Sequence, residues 1–441
     1  MNNKISNKKI YWIIAHILIG ILATFSYFPL VYSSFSILVF IFYIVKRKNI
    51  NEEAGVFAAY IVGSEVFLRM TKGYFFYETG KYYVIILLMI GVFVGHFKQK
   101  FSIHYILYIL LLLLGIVFTQ VPEGQSIRNS IVFNLSGPVL LGISAIYFYH
   151  RPVSKKELYN ILFFMLLPLI STITFLYFRT PELSEIIFGT SANFETSGGF
   201  GPNQVATAIG LGVVIITIFI VSKEKLSGFL LLDFCILTYF IYRGLLTFSR
   251  GGIFTAVISL LFFLFFFFLY KKISGKLLLK YISIILFFIF AIWIYTSEVT
   301  GGMLDNRYAG QNALGVQKKD ISTGRIAIFE VQVINFFNNP LGIGVGNGKF
   351  EREKIAENIS TTSHNEVGRL IEEHGFIGLS LLIMLLTIPI LIMSKSNNFQ
   401  KAFIGCFYLI WFLTINHSAM RIAMPGFIYA LSLIKITNIE D

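Results

Sequence analysis

Residues 253–270 read IFTAVISLLFFLFFFFLY, a run without a charge, an amide or a proline. Its apolar side chains cover every face of the segment, so it matches neither the one-sided stripe of a surface helix nor the alternation of a barrel strand. About 20 such residues cross a bilayer as a helix, whose backbone hydrogen bonds all close within the segment. Residues 277–295 repeat the pattern, and similar runs recur along the chain. The whole sequence is 56 % hydrophobic and 13 % charged, with 47 phenylalanines in 441 residues and a mean hydropathy of +0.74. Such a composition excludes an ordinary soluble protein of two or three domains. The expected fold class is all-α, a polytopic helical membrane protein.

Fourteen spans are expected, near 9–26, 28–45, 54–70, 82–97, 103–119, 130–149, 158–178, 203–222, 226–247, 253–270, 277–296, 376–393, 402–417 and 422–435. The alternative is 12 or 13, because the first pair turns tightly at Pro29 and the last helix is short. The first run follows Lys4, Lys8 and Lys9 as a signal peptide would, but it lacks a small-x-small cleavage site and reads as an uncleaved helix. Further basic clusters punctuate the spans at Lys46, Arg47 and Lys48, at Lys98 and Lys100, and at Arg151, Lys155 and Lys156. Others lie at Lys223 and Lys225, at Lys271, Lys272, Lys276 and Lys280, and at Lys395 and Lys401. By the positive-inside rule these loops and both ends of the chain are cytoplasmic. The net charge of +13 therefore reports topology and not nucleic-acid binding. Cys235 and Cys406 fall inside spans, which leaves no disulfide framework and no cysteine metal site.

Residues 249–252, 179–202 and 297–375 then face the opposite, extracytoplasmic side. The last is the long polar loop of the chain, and chemistry that needs cytosolic nucleotides is excluded there. Three regions result: N-terminal spans over 1–202, a central region over 203–395 that contains the 297–375 loop, and C-terminal spans over 396–441.

Short helices are expected inside the loop. Ser322 and Thr323 signal a helix start and Asn338, Asn339 and Pro340 a stop, with Ile328, Phe329, Val331, Val333, Ile334, Phe336 and Phe337 between them. That stretch is too apolar for a solvated helix and too short to span, so an interfacial helix fits. PLGIGVGNGKF at 340–350 is read as a flexible turn, with backbone approach to a phosphate as the alternative; it is neither a Walker loop nor a dinucleotide fingerprint. SHNEVGRLIEEHG at 363–375 opens with a Ser363/Glu366 capping box, and Gly375 is placed to end the helix or bend it into the next span. His364 then sits in the first turn, where the helix dipole favours a neutral imidazole and attracts an anion. A plain exposed cap residue is the alternative. Solvation accounts for Glu372 and Glu373.

In YRGLLTFSRGGIF at 242–254, Arg243 lies inside a span, at a cost of about 2.5–3.5 kcal/mol on insertion scales. A pair with Asp233 is one explanation. Arg250, at the outer end, offers a bidentate fork for phosphate, with Gly251 and Gly252 allowing close approach. A snorkelling anchor is the alternative.

SRGG at 249–252, STGR at 322–325 leading into NNPLGIGVG, and His364-Asn365 followed by Gly375-x-x-Gly378 together resemble the O-antigen ligase and polymerase superfamily, most strongly over about 200–395. The resemblance implies a metal-independent glycosyltransferase of the bacterial inner membrane, without cofactor, acting at the extracytoplasmic face. Its donor would be a glycan on polyprenyl (undecaprenyl) diphosphate, and its acceptor a hydroxyl of another glycan, of lipid A core or of a comparable molecule. Carried over by position, Arg250 and Arg325 would bind the diphosphate and His364 would be the general base. Asn365, Asn203, Arg243, His417 and Arg421 would support them, with His417 and then His374 next in line as base. Polymerase is slightly preferred over ligase. The rival class is a transporter or flippase of lipid-linked oligosaccharides, which would concentrate ionisable groups near the bilayer midplane; Glu65, Asp233 and Arg243 speak for it.

Overall fold

The computed structural model describes residues 2–95, 102–273, 275–322, 324–355 and 363–437. Lys98, Lys100 and Thr323 lie outside the described residues. The N-terminal helices are α1 (Asn2–Leu22), α2 (Phe28–Arg47), α3 (Glu53–Met70), α4 (Thr79–Val94), α5 (Ile103–Leu114), α6 (Ile127–Phe148) and α7 (Lys155–Arg179). The central ones are α8 (Pro202–Val221), α9 (Leu230–Leu246), α10 (Arg250–Tyr270) and α11 (Gly275–Val299). Three short helices follow, α12 (Met303–Tyr308), α13 (Arg325–Asn338) and α14 (Gly348–Glu353), and then α15 (Glu366–Ser394), α16 (Asn398–His417) and α17 (Met424–Leu431). Of these, α2, α6, α7, α8, α10, α15 and α16 are long and apolar enough to cross a membrane. A helix overlaps each of the fourteen expected spans, and the all-α polytopic class holds.

Local signals set the helix starts. Ser154 and Glu157 form a complete capping box on α7, Ser126 caps α6 through Asn129 N, and Asn397 caps α16 through Gln400 N. Between the ends, burial of apolar faces does the rest: α3 packs on α7 and α4, and α10 packs on α8 and α16.

The last expected span is corrected. α17 has 8 residues, about 12 Å of helix, and the chain then leaves it as a strand. That strand, β2 (Lys435–Thr437), pairs in parallel with β1 (Pro152–Ser154), next to the basic residues Arg151 and Lys155. So short a helix joins the loop at 418–423 to the opposite end of the bundle, which sets that loop inside the protein and not on its rim.

The 340–350 segment is also corrected. Its backbone donors are used by the protein: Ile343 N and Gly344 N donate to Glu372 O and Glu373 O, Val345 N to Gly115 O, and Gly346 N to a Glu373 carboxylate oxygen. Val345 is fully buried. The segment is a wedge between α5, α6 and α15, neither a loose turn nor a phosphate cradle.

Candidate active site

The starts of α8, α10, α13 and α15 and the end of α16 meet at one end of the bundle, opposite the ends that carry Lys223, Lys225, Lys271, Lys272, Lys395 and Lys401. There an open pocket of about 440 Å³ is lined by Asn203, Ser249, Arg250, Arg307, Ser322, Arg325 and His417, among others. Arg307 is the member that sequence reasoning missed; it sits in a six-residue helix with no motif around it.

The three arginines meet no carboxylate in the lining. Arg250 Nη2 donates to Ile321 O at 3.2 Å, and Arg307 donates through Nε to Phe248 O (3.1 Å) and through Nη1 to Thr190 O (3.0 Å). The guanidinium of Arg325, at the first turn of α13, makes no hydrogen bond among the described residues, while its backbone N donates to Ser322 O at 3.4 Å. Burial and then the charges of Arg250 and Arg325 lower the Arg307 pKa, and burial and then Arg250 lower that of Arg325. Such a cluster is short of an anion. Lys318, hydrogen-bonded to Thr190 O at 2.7 Å, extends the basic wall.

Ser322 does not hold the cap position of α13, although its Oγ accepts from Ile326 N at 3.5 Å. Gly324 occupies the cap position, and Asp320 accepts from Ser322 N, Ser322 Oγ and Gly324 N to shape the turn. The apolar face expected of an interfacial helix divides: Ile328 and Phe336 are buried toward α15, while Ile326, Ile334 and Phe337 are exposed.

Gly251 and His417 explain each other. A Cβ on Gly251 would lie 2.4 Å from His417 Cδ2, so only glycine admits the ring, and Gly252 packs on the α8 backbone at Ala206 and Thr207. Gly252 thus seats α10 on α8, while Gly251 both admits the His417 ring and lines the arginine pocket. Both ring nitrogens of His417 are engaged, Nδ1 with Leu413 O at 2.9 Å and Nε2 with Thr207 Oγ1 at 3.2 Å. Asn203 Oδ1 accepts from Ser249 Oγ at 2.8 Å across the pocket wall.

His364 stands just before α15, not in its first turn. The cap is Asn365, whose Oδ1 accepts from Val367 N and Gly368 N, while Ser363 Oγ turns back on Asn365. The expected Ser363/Glu366 box is absent because Glu366 is buried in an ion pair with Arg369. His364 keeps solvent access, and among the described residues its ring makes no hydrogen bond. The protein packed around it, and then the charges of Arg325 and Arg421, lower its pKa to about 4. Both influences disfavour the charged imidazole and favour its neutral form.

Residues 234–383 match the O-antigen ligase family model. This region belongs to the O-antigen ligase and polymerase superfamily. No curated protein matches the chain at a significant level. The ligase-like region carries Arg250, Arg325 and His364, while Asn203, His417 and Arg421 come from elements outside the match.

Those outside elements fix the site. Ala419 N donates to His364 O and Arg421 Nη2 to Ser363 O, both at 2.9 Å. The same loop is held from beneath: Met420 N donates to Glu366, Ala423 N to Glu65, and Arg69 Nη1 to Arg421 O at 2.8 Å. Arg243 lies elsewhere. It donates to Leu176 O, Thr180 Oγ1 and Thr196 O and so clamps the loop after α7, while Asp233 accepts from Ser227 N. The expected pair does not form, because each finds a nearer backbone partner. His374 is buried against Gly115. Glu372 and Glu373, expected in solvent, are buried too, the first against Arg352 at 3.0 Å and the second against Arg369 at 3.3 Å.

Proposed function

We propose that the chain is a membrane glycosyltransferase that moves a glycan from a polyprenyl diphosphate carrier to an acceptor hydroxyl at the extracytoplasmic face of a bacterial inner membrane, as a surface-polysaccharide polymerase or ligase. The observation that carries this reading is the pocket of Arg250, Arg307 and Arg325, without a carboxylate in its lining, and with His364, outside that lining, within electrostatic reach of Arg325. Its place at the end opposite the lysine clusters supports the sidedness.

In the reaction the acceptor oxygen bonds to the anomeric carbon as the bond from that carbon to the diphosphate oxygen breaks. The electron pair leaves on the diphosphate, and the acceptor proton passes to His364. Arg250 and Arg325 stabilise the charge that grows on the leaving group. His364 suits the base better than His417, whose two nitrogens already have protein partners. Direct displacement inverts the anomeric carbon.

A deletion strain complemented at matched membrane levels with wild type, His364→Ala, Arg250→Ala or Arg325→Ala tests this. All three variants should leave glycan on the lipid carrier. Single repeats identify a polymerase, and long carrier-bound chains identify a ligase. Normal surface glycan from all three overturns the reading and moves a transporter to the front.

A further inference from the structure

We infer that Tyr77 and Phe133 form the shelf on which the acceptor glycan lies. The inference rests on the transferase reading above and assigns the side from which the second substrate approaches.

The two rings neighbour each other at the outer end of the bundle, with centroids 6.3 Å apart and planes tilted by 42°. Each has a guanidinium beneath it. Arg69 lies 3.9 Å from the Tyr77 ring centre and Arg421 lies 4.1 Å from that of Phe133. Both arginines are buried, with 8 % and 7 % of their surface exposed, while Tyr77 is 42 % exposed. Further bonds hold Tyr77: Arg69 Nε donates to Tyr77 O at 2.9 Å, and Gln204 Nε2 donates to Tyr77 Oη at 3.1 Å. Arg421 Nη1 reaches Asn134 Oδ1 at 3.4 Å, which sets a second amide at the rim.

Fixed aromatic faces bordered by amides suit a sugar ring, which offers a C–H face to an aromatic plane and hydroxyls to its edge. Pre-ordering also removes the entropy that a mobile ring would lose on binding. An ordinary interfacial aromatic is a different object. Phe75 and Phe76, two and one residues before Tyr77, are 63 % and 73 % exposed and figure in no ring or cation contact among the described residues.

The position favours the acceptor over the donor. Asn203 lines the arginine pocket, whereas the next residue, Gln204, holds Tyr77, so the first turn of α8 separates shelf from pocket. Arg421 joins the shelf to the base, since it covers Phe133 and also holds Ser363 O, one residue before His364. An inverting displacement needs its nucleophile on the side of the anomeric carbon away from the diphosphate. A shelf across α8 from Arg250 and next to His364 meets that demand.

The test uses the full-length protein in nanodiscs and, as probe, the strain's own surface glycan freed of lipid, followed by saturation-transfer NMR. Wild type, His364→Ala and Arg250→Ala should bind it alike, because the probe carries no diphosphate. Tyr77→Leu/Phe133→Leu should bind about ten-fold or more weakly, and Tyr77→Phe, which keeps the ring, should stay near wild type. If the double variant does not fold, the single Phe133→Leu, checked for an unchanged melting temperature, carries the test. Undiminished binding by the leucine variants overturns the shelf, as does loss of binding in Arg250→Ala, which would put the glycan in the donor pocket. Normal surface glycan from His364→Ala, Arg250→Ala and Arg325→Ala together would instead sink the transferase reading and leave the binding result standing.

Discussion

The arginines of the pocket and those packed behind it follow opposite rules. Arg69, Arg352 and Arg369 are buried, and each has a carboxylate: Glu65 at 2.6 Å, Glu372 at 3.0 Å, and Glu366 with Glu373. Their charges cancel inside the protein. Arg250, Arg307 and Arg325 line open space, and their guanidinium groups bind carbonyl oxygens or, for Arg325, no hydrogen-bonding group among the described residues. Buried pairs cost desolvation and are kept where they hold a unique geometry, here the seat of His364 and of the loop at 418–423. An open group of like charges is kept only where a ligand supplies the missing sign. Arg243 and Arg421 lie between the two groups, buried as the first is but held by carbonyl, hydroxyl and amide oxygens.

Breaking a scaffold pair should have the largest effect. Arg369→Met leaves Glu366 and Glu373 buried without their cation and should cost about 3–5 kcal/mol of stability, read as a lowered melting temperature and poor membrane yield. An unchanged melting temperature would erase the distinction. Arg325→Ala should do the reverse, with transfer falling about 10²–10³-fold while thermal stability holds or rises, since a repelling charge is gone. Arg307→Ala should lie between, with a loss of about ten-fold and a small drop in melting temperature, because its donors already serve Phe248 O and Thr190 O.

The pH dependence sharpens the comparison with the least effect at neutrality. A base lowered to about 4 stays unprotonated down to mildly acid pH, so kcat/KM should fall only as pH approaches about 4 and not near 6.5. The bound diphosphate offsets the field of Arg325, so the acid limb of kcat should lie higher than that of kcat/KM. Coincident limbs would mean that the arginines do not act on His364.

Individual residues show where legibility ends. Arg250 and His364 could be found because each sits at a marked helix start, in SRGG and in SHNE. Arg307 carried no such mark, and its role comes from its folding back onto Phe248 and Thr190. Glu372 looked solvated because a helix period cannot tell a solvent face from one that another polar helix covers; Arg352, Gln332 and Asn335 cover it. Asn365 looked like a partner for the base and is a helix cap. Gly251 read as room for a ligand; it lines the pocket and also makes room for His417, which the sequence did not reveal.

The sequence by itself determined the membrane character and the all-helical class, because burial in lipid demands long apolar runs. Only the tertiary structure decided which charges cancel and which stay open. That depends on distances of a few ångströms between residues as far apart as Arg69 and Arg421, and no periodicity in one dimension encodes them.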